Sequence, residues 1–293
     1  MEIEKVGVIG AGIMGSGIAQ IAALSGCKVT LVDVDERRAR AGFEAINGRL
    51  VRQAERRHLT GPELDGALAN IATAADWDTL QSLGDADVVF EVVVEDLESK
   101  LDVFRRLGNA CKPGALLASN TSSLPLSDLA AASGRPERVI GLHFFNPPWA
   151  LKLVEVVTTA STPDETMADA LAVCEKLGRE TVHVEDTPGF IANRLLVPFI
   201  FDAIQLLSSG VSSAEDIDHA CRIGLNHTMG PLATADLIGL DTLQLIAANM
   251  FEEYGEPRFK APTMLRRLVS LGHLGRKTGR GFFTYAQDSR PTA

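Results

Sequence analysis

The chain has 293 residues, room for one large domain or, more often, two. Hydrophobic residues make up 46% and charged residues 23%, the balance of a soluble globular protein with a sizeable core. A net charge of −10 argues against nucleic acid as a partner, because neutralising phosphates needs a basic surface.

No apolar run reaches the roughly 20 residues of a membrane-spanning helix, so no membrane association is expected. The first residues, "MEIEKVGVIGAG", enter a strand pattern at once, so no signal peptide is expected. Cys27, Cys111, Cys174 and Cys221 are far apart and form no Cys-x-x-Cys. Reduced thiols in a cytoplasmic protein are the expectation, and no metal centre is foreseen.

The first element is a strand over 6–9, and it runs into Gly10-x-Gly12-x-x-Gly15 and a helix over 14–24. Gly10 permits the tight turn, Gly12 lets a pyrophosphate approach the backbone, and Gly15 allows close helix–strand packing. Alone such a triplet is weak evidence, but here it follows a strand and opens a helix. A second strand over 28–33 ends on Asp33, about 20 residues on, where a carboxylate can accept from both ribose hydroxyls. That acid would repel a 2'-phosphate, which favours NAD over NADP, although Arg37 and Arg38 stand close by and could serve such a phosphate.

A long helix over 35–57 follows and carries Arg37, Arg38, Arg40, Arg49, Arg52, Arg56 and Arg57. These arginines are either a solvated basic face or a surface for an anionic ligand. The strand over 88–93 contains Glu91, a buried carboxylate that needs a partner which spacing does not identify. Glu95 emerges just beyond it and Lys100 lies on the next helix, over 98–110. Ligands of such sheets sit outside the carboxyl ends of the strands, so this pair either touches a cofactor or is an ordinary surface pair.

The strand over 116–119 delivers Asn120, Thr121 and Ser122, whose polar groups can meet a substrate oxygen or a nicotinamide. Ser122 or Ser123 could instead cap the short helix over 127–132. Strands over 139–145 and 153–158 are joined by a loop too short for a helical crossover and are expected to pair antiparallel. A register centred on Trp149 sets His143 opposite Glu155, within hydrogen-bond reach. A histidine oriented by a carboxylate suits the proton abstraction of alcohol oxidation, whereas a lone histidine is more often a satisfied core residue. Asn146 lies three residues beyond His143.

A helix over 163–177 and a strand over 181–185 complete the strand-rich part. Strand–helix alternation of this kind implies an α/β fold: a Rossmann-type, mainly parallel sheet with antiparallel strands at one end. A domain boundary falls near Asp186. "DTPGF" offers Thr187 as an N-cap with Pro188 at the first helical position. Helical patterns follow over 191–207, 214–222, 231–250 and 263–271, with Pro198 expected to kink the first. Asn193, on the first turns of that helix, is either a cleft residue or a solvated one. The closing stretch is "GRKTGRGFFTY", with a polar tail over 286–293.

Taken together, "GVIGAGIMGSGIA", "VVVEDLESK", "SNTSSL", "GLHFFNPPWALKLVEVV", "DTPGFIANRLL", "GLNHTMGPLATADLIGLDT" and "LGRKTGRGFFTY" resemble the L-3-hydroxyacyl-CoA dehydrogenase family, bacterial 3-hydroxybutyryl-CoA dehydrogenases in particular. The stretches span nearly the whole chain in the family's order. The resemblance implies that His143 is the catalytic base and Glu155 its orienting partner. Ser122 and Asn193 would contact the 3-oxygen and thioester region of an acyl-CoA, and Asn146 would support the histidine. Glu95, Lys100 and Asn120 would bind NAD beside Gly10, Gly12, Gly15 and Asp33.

It also implies a division into 1–186, an NAD-binding domain, and 187–293, an all-α substrate and dimerisation domain through which homodimers form. Some of the arginines after the second strand would then meet the anionic end of coenzyme A. One departure is Trp149, which stands where the family carries a second proline and bears on the shape of the substrate pocket. Two other readings remain: a dehydrogenase of a free hydroxy acid or sugar acid on the same scaffold, and a non-catalytic, crystallin-like NAD-binding protein. Enzymes of the 3-hydroxyisobutyrate type use a lysine early in the helical domain, and "PGFIANRLLVPFIFDAIQ" offers none.

Overall fold

A computed structural model describes residues 2–285. The polar tail expected over 286–293 lies outside the described residues. The chain divides into two compact units, Met1–Thr187 and Pro188–Ala293.

The first unit is built on β1 (Lys5–Ile9), α1 (Ile13–Leu24), β2 (Lys28–Val32), α2 (Glu36–Glu55), α3 (Gly61–Ala69) and β3 (Ile71–Ala74). It continues with β4 (Val88–Glu91), α4 (Leu97–Ala110), β5 (Leu116–Ser119), α5 (Leu126–Ala132), β6 (Val139–Phe144), β7 (Leu153–Thr158), α6 (Asp164–Lys176) and β8 (Glu180–Glu185). The eight strands form one sheet in the order β3-β2-β1-β4-β5-β6-β7-β8. All neighbours pair parallel except β6 and β7, so the last two strands run against the rest. The interval after β7 looks irregular in sequence, yet β7–α6–β8 is an ordinary parallel crossover unit.

Strands β4, β5 and β6 are buried along their whole length, as strands covered on both faces should be. Val8, Leu31, Phe90, Leu116, Leu142 and Val156 belong to one core shared with α1 and α6 residues such as Ile18 and Val173. Helix α1 lies so close to β1 that a Cβ on Gly15 would come within 1.7 Å of the Gly10 oxygen. Gly10 itself has φ 99°, a left-handed value that only glycine adopts freely.

The second unit contains α7 (Ala192–Ser208), α8 (Ala214–Gly224), α9 (Pro231–Ile238), α10 (Leu240–Tyr254) and α11 (Thr263–Ser270). Val197, Phe201, Ile204, Leu243, Met250 and Phe259 fill its separate core.

Several expectations need correction. Neither α3 nor β3 is among the elements expected from sequence. Helix α3 begins with a capping box of Thr60 and Glu63 plus an early proline, a signal that was present in "TGPE". Strand β3 is a four-residue edge strand, Ile-Ala-Thr-Ala, with no readable alternation. The single helix over 231–250 is two helices, broken at Gly239, whose φ of 98° cannot continue an α-helix. Thr187 and Pro188 do not open a helix. Gly189 and Phe190 both have left-handed φ, 80° and 48°, and α7 starts only after them, at Ala192.

Neither Ser122 nor Ser123 caps α5, whose N-cap position is Pro125. The amides of Leu126 and Ser127 donate instead to the two carboxylate oxygens of Asp186, at 3.0 and 2.9 Å, from the far end of β8. Asp186 also accepts from the Ser127 hydroxyl at 2.6 Å. An anion at a helix N-terminus satisfies otherwise orphaned donors and opposes the positive end of the helix dipole. Replacing Asp186 by Ala should therefore cost about 1 kcal/mol of stability, read as a lowered urea midpoint with an unchanged slope.

Candidate active site

The carboxyl ends of β1, β2, β4, β5 and β6 lie side by side, and the sequence-selected residues of the first unit gather there. At the glycine turn, Gly12 occupies the N-cap of α1 with no side chain capping the helix, which leaves its first amides for an anion. A Cβ on Gly12 would meet nothing within 4 Å, so the turn is open on that side. Asp33 has both oxygens committed to the backbone: Oδ2 accepts from the Ala11 amide at 2.7 Å and Oδ1 from the Val34 amide at 2.7 Å. The acid thus braces the turn, and each oxygen retains lone pairs for a ribose hydroxyl. An open, uncapped turn with a carboxylate at the end of the neighbouring strand fits the diphosphate and ribose of NAD.

Glu91 and Glu95 converge on one ammonium. Lys100 Nζ donates to Glu91 Oε1 at 2.6 Å and lies 3.5 Å from Glu95 Oε2, with Glu91 wholly buried and Lys100 1% exposed. The unidentified partner of Glu91 is therefore Lys100, together with the Ser119 hydroxyl at 2.7 Å and the Val93 amide at 2.9 Å. Lys100 is not half of a surface pair, and its ammonium is enclosed by protein. Burial works against its charge, but the two carboxylates outweigh that and raise its pKa.

Glu95 Oε1 gathers the polar segment after β5. It accepts from Thr121 Oγ1 and the Ser122 amide at 2.7 Å, and from Ser122 Oγ and the Ser123 amide at 3.1 Å. Burial disfavours its ionisation, yet the Lys100 ammonium and the hydrogen bonds from Ser122 and Thr121 hold the carboxyl below its ordinary value of 4.5.

His143 and Glu155 are directly paired across the antiparallel strands, in the register expected from the turn centred on Trp149. Nδ1 lies 2.7 Å from Glu155 Oε2, and the carboxylate is wholly buried. With Glu155 ionised, Nδ1 carries the proton and donates it, which leaves Nε2 as the basic nitrogen. The Phe145 ring packs on the imidazole at a centroid distance of 4.6 Å. Asn120 Oδ1 accepts from the Phe144 amide at 2.9 Å, tying the end of β5 to the residue after His143. Asn146 is exposed and precedes a cis peptide to Pro147. Asn193 belongs to the second unit, at the second position of α7.

The turn itself contains a feature that sequence reading missed. Trp149 packs toward Gly17 of α1, and the Arg49 guanidinium of α2 lies over its ring at 4.4 Å. Arg49 also donates to Gln20 Oε1 at 2.7 Å and Ser16 Oγ at 3.1 Å. Burial among neutral partners, with Arg52 nearby, pulls its pKa down to about 10. Arg49 thus stands apart from the exposed Arg37, Arg38, Arg40, Arg52, Arg56 and Arg57, with which its sequence position grouped it.

The sheet order, the glycine turn and the acid–base pair define a Rossmann-type dinucleotide-binding protein equipped for proton transfer. The family model described as "3-hydroxyacyl-CoA dehydrogenase, NAD binding domain" matches residues 5–187, and that of the C-terminal domain matches residues 189–285. A 3-hydroxybutyryl-CoA dehydrogenase of Mycobacterium tuberculosis is 45% identical over 285 residues, covering 97% of this chain and 99% of the relative. A probable 3-hydroxybutyryl-CoA dehydrogenase of Bacillus subtilis is 43% identical over 287 residues, 98% and 99% of the two chains. The crystal structure of (S)-3-hydroxybutyryl-CoA dehydrogenase from Ralstonia eutropha superposes with a TM-score of 0.90 at 37% identity, over 98% of this chain and all of that one. The chain belongs to the 3-hydroxyacyl-CoA dehydrogenase family, and its cofactor is NAD.

The depressed pKa of Glu95 has a consequence for stability. A carboxyl whose folded value lies below its unfolded one stabilises the fold above the unfolded value, and this is lost as pH falls through the folded value. Glu95→Gln should therefore unfold at lower urea than the parent at pH 7, with the gap narrowing progressively below about pH 4.5.

Proposed function

We propose that this protein is an NAD-dependent (S)-3-hydroxyacyl-CoA dehydrogenase that interconverts 3-hydroxyacyl-CoA, such as 3-hydroxybutyryl-CoA, and 3-ketoacyl-CoA. The hydrogen-bonded His143–Glu155 pair on β6 and β7, in the same sheet as an NAD-binding turn at the end of β1, is the observation that carries this reading. The relatives' names supply the substrate class.

When bound, NAD supplies the acceptor for the hydride. His143 takes the proton of the 3-hydroxyl at Nε2 and returns it in the opposite direction. Glu155 keeps the imidazole in the tautomer that has Nε2 free of its own proton and stabilises the cationic ring that forms. Ser122, whose hydroxyl and amide are aligned by Glu95, meets the substrate's 3-oxygen, and Asn193 acts on the thioester portion. Asn146 supports the catalytic histidine. Gly10, Gly12 and Gly15 shape the turn for the diphosphate, and Asp33 accepts from the ribose. Glu95, Lys100 and Asn120 order the nicotinamide end, the first two through the shared ammonium and the third through its hold on Phe144.

Residues 1–186 form the NAD-binding domain, and 187–293 contribute to substrate binding and form the homodimer. Exposed Leu195, Ile223 and Leu225 support dimerisation by that unit. Among the described residues no helix is long and apolar enough to cross a membrane, and a cytoplasmic location accords with the bacterial relatives. The exposed arginines of α2, Arg40 and Arg52 among them, offer charge to the nucleotide end of coenzyme A.

The decisive assay mixes purified protein with NADH and acetoacetyl-CoA and follows loss of NADH absorbance. Turnover is expected, and His143→Ala should lower kcat by about 10²- to 10⁴-fold. No turnover here, with turnover on a free sugar acid, would transfer the scaffold to another substrate class; a near-normal rate in His143→Ala would remove the histidine from the mechanism. Arg52→Ala should raise KM for the CoA ester with little change in kcat, the pattern of lost uniform binding.

A further inference from the structure

Glu91 has no assigned part in the chemistry, yet two hydrogen-bonded routes lead from it to the segment that carries Ser122. The first runs through charge. Glu91 Oε1 holds Lys100 Nζ at 2.6 Å, Lys100 reaches Glu95 Oε2 at 3.5 Å, and Glu95 Oε1 fixes the Ser122 amide at 2.7 Å and its hydroxyl at 3.1 Å. The second runs through a neutral relay. Glu91 Oε2 accepts from Ser119 Oγ at 2.7 Å, and that oxygen accepts from the Thr121 amide at 3.2 Å.

The arrangement is costly for a group whose only task is to fill space. Two carboxylates share one ammonium, so the cluster carries a net negative charge. Glu91, wholly buried, cannot offset its lost hydration by exposure to water. A well-packed apolar residue at this position would avoid that penalty. What Glu91 does instead is place the ammonium. It draws Lys100 into the sheet, so the lysine touches Glu95 on one oxygen only and leaves the other to the 121–123 segment. Without the charge of Glu91, Lys100 would close on Glu95 and compete with Ser122 for the same carboxylate.

We infer that Glu91 is a positioning residue for the dehydrogenase reaction, acting through Lys100 and Glu95 to aim the Ser122 hydroxyl at the substrate's 3-oxygen. The inference rests on the activity and the Ser122 role given above.

Glu91→Gln tests it, because the amide oxygen keeps an acceptor while the charge is removed. With acetoacetyl-CoA and NADH, kcat should fall about ten- to hundredfold, the scale of a misaimed catalytic group, with a much smaller change in KM for NADH. The second measurement is a double-mutant cycle with Lys100→Met. If Glu91 acts through the lysine, Glu91→Gln/Lys100→Met loses no more kcat than Lys100→Met alone.

Multiplied losses in the double variant would show that Glu91 does not act through Lys100 and overturn the inference, as would a Glu91→Gln enzyme within about twofold of the parent kcat. Should Glu91→Gln fail to fold, the comparison of Lys100→Met with the double variant still decides. The double variant buries no unpaired ammonium, and a further drop in its kcat counts against Glu91. Failure of the parent enzyme to turn over the CoA ester is seen before any variant is made. It would strike the assigned activity and take this inference with it.

Discussion

A carboxylate removed from water must be met by donors, and this constraint organises the catalytic end of the sheet. Glu91 and Glu155 both lie in strands with a neighbour on each side and have no exposure. Each has recruited a base from a different direction: Glu155 from the strand paired beside it, Glu91 from the helix that follows its own strand. The two solutions produce different chemistry. A carboxylate on imidazole fixes which ring nitrogen carries the proton and so which one is left to act as acceptor. A carboxylate on ammonium yields a fixed charge, which is a tool for placing other groups.

The reversal of direction at β6 and β7 is what makes the first solution possible. Parallel neighbours need a crossover of a dozen or more residues and could not be joined by the short turn seen here. The antiparallel pair brings base and partner from 12 residues apart into direct opposition. It also leaves β7 and β8 to finish the sheet as a parallel pair of their own, turned against the other six strands.

Much of the first unit and of its site was legible in sequence because the signals are local. The glycine triplet, the strand ending on Asp33 and the symmetric turn about Trp149 each lie within one supersecondary unit. The errors share an opposite cause. Asp186 caps α5 from 59 and 60 residues away, and no local pattern announces such a partner. Arg49 read as one of a row of basic residues, although Trp149, far along the chain, withdraws it from water. Gly239 lies inside the single helix expected over 231–250, yet its positive φ ends one helix and begins another. The Glu91–Lys100 pair is more local. A buried strand carboxylate followed by a lysine early in the next helix is a recognisable pairing, and the sequence contained both halves.

The contact between Trp149 and α1 ties together two positions with no proximity in sequence. A Cβ on Gly17 would meet Pro148 Cγ at 2.4 Å and Trp149 Cε3 at 2.9 Å. The first of these atoms belongs to a proline ring closed onto the backbone, which cannot rotate away as an open side chain can. Position 17 is therefore hostage to the turn: in this background an alanine there forces the turn or the helix to shift. Descendants of this sequence can change the two sites only in a fixed order, with a slimmer or displaced turn first and a larger residue in the helix afterwards.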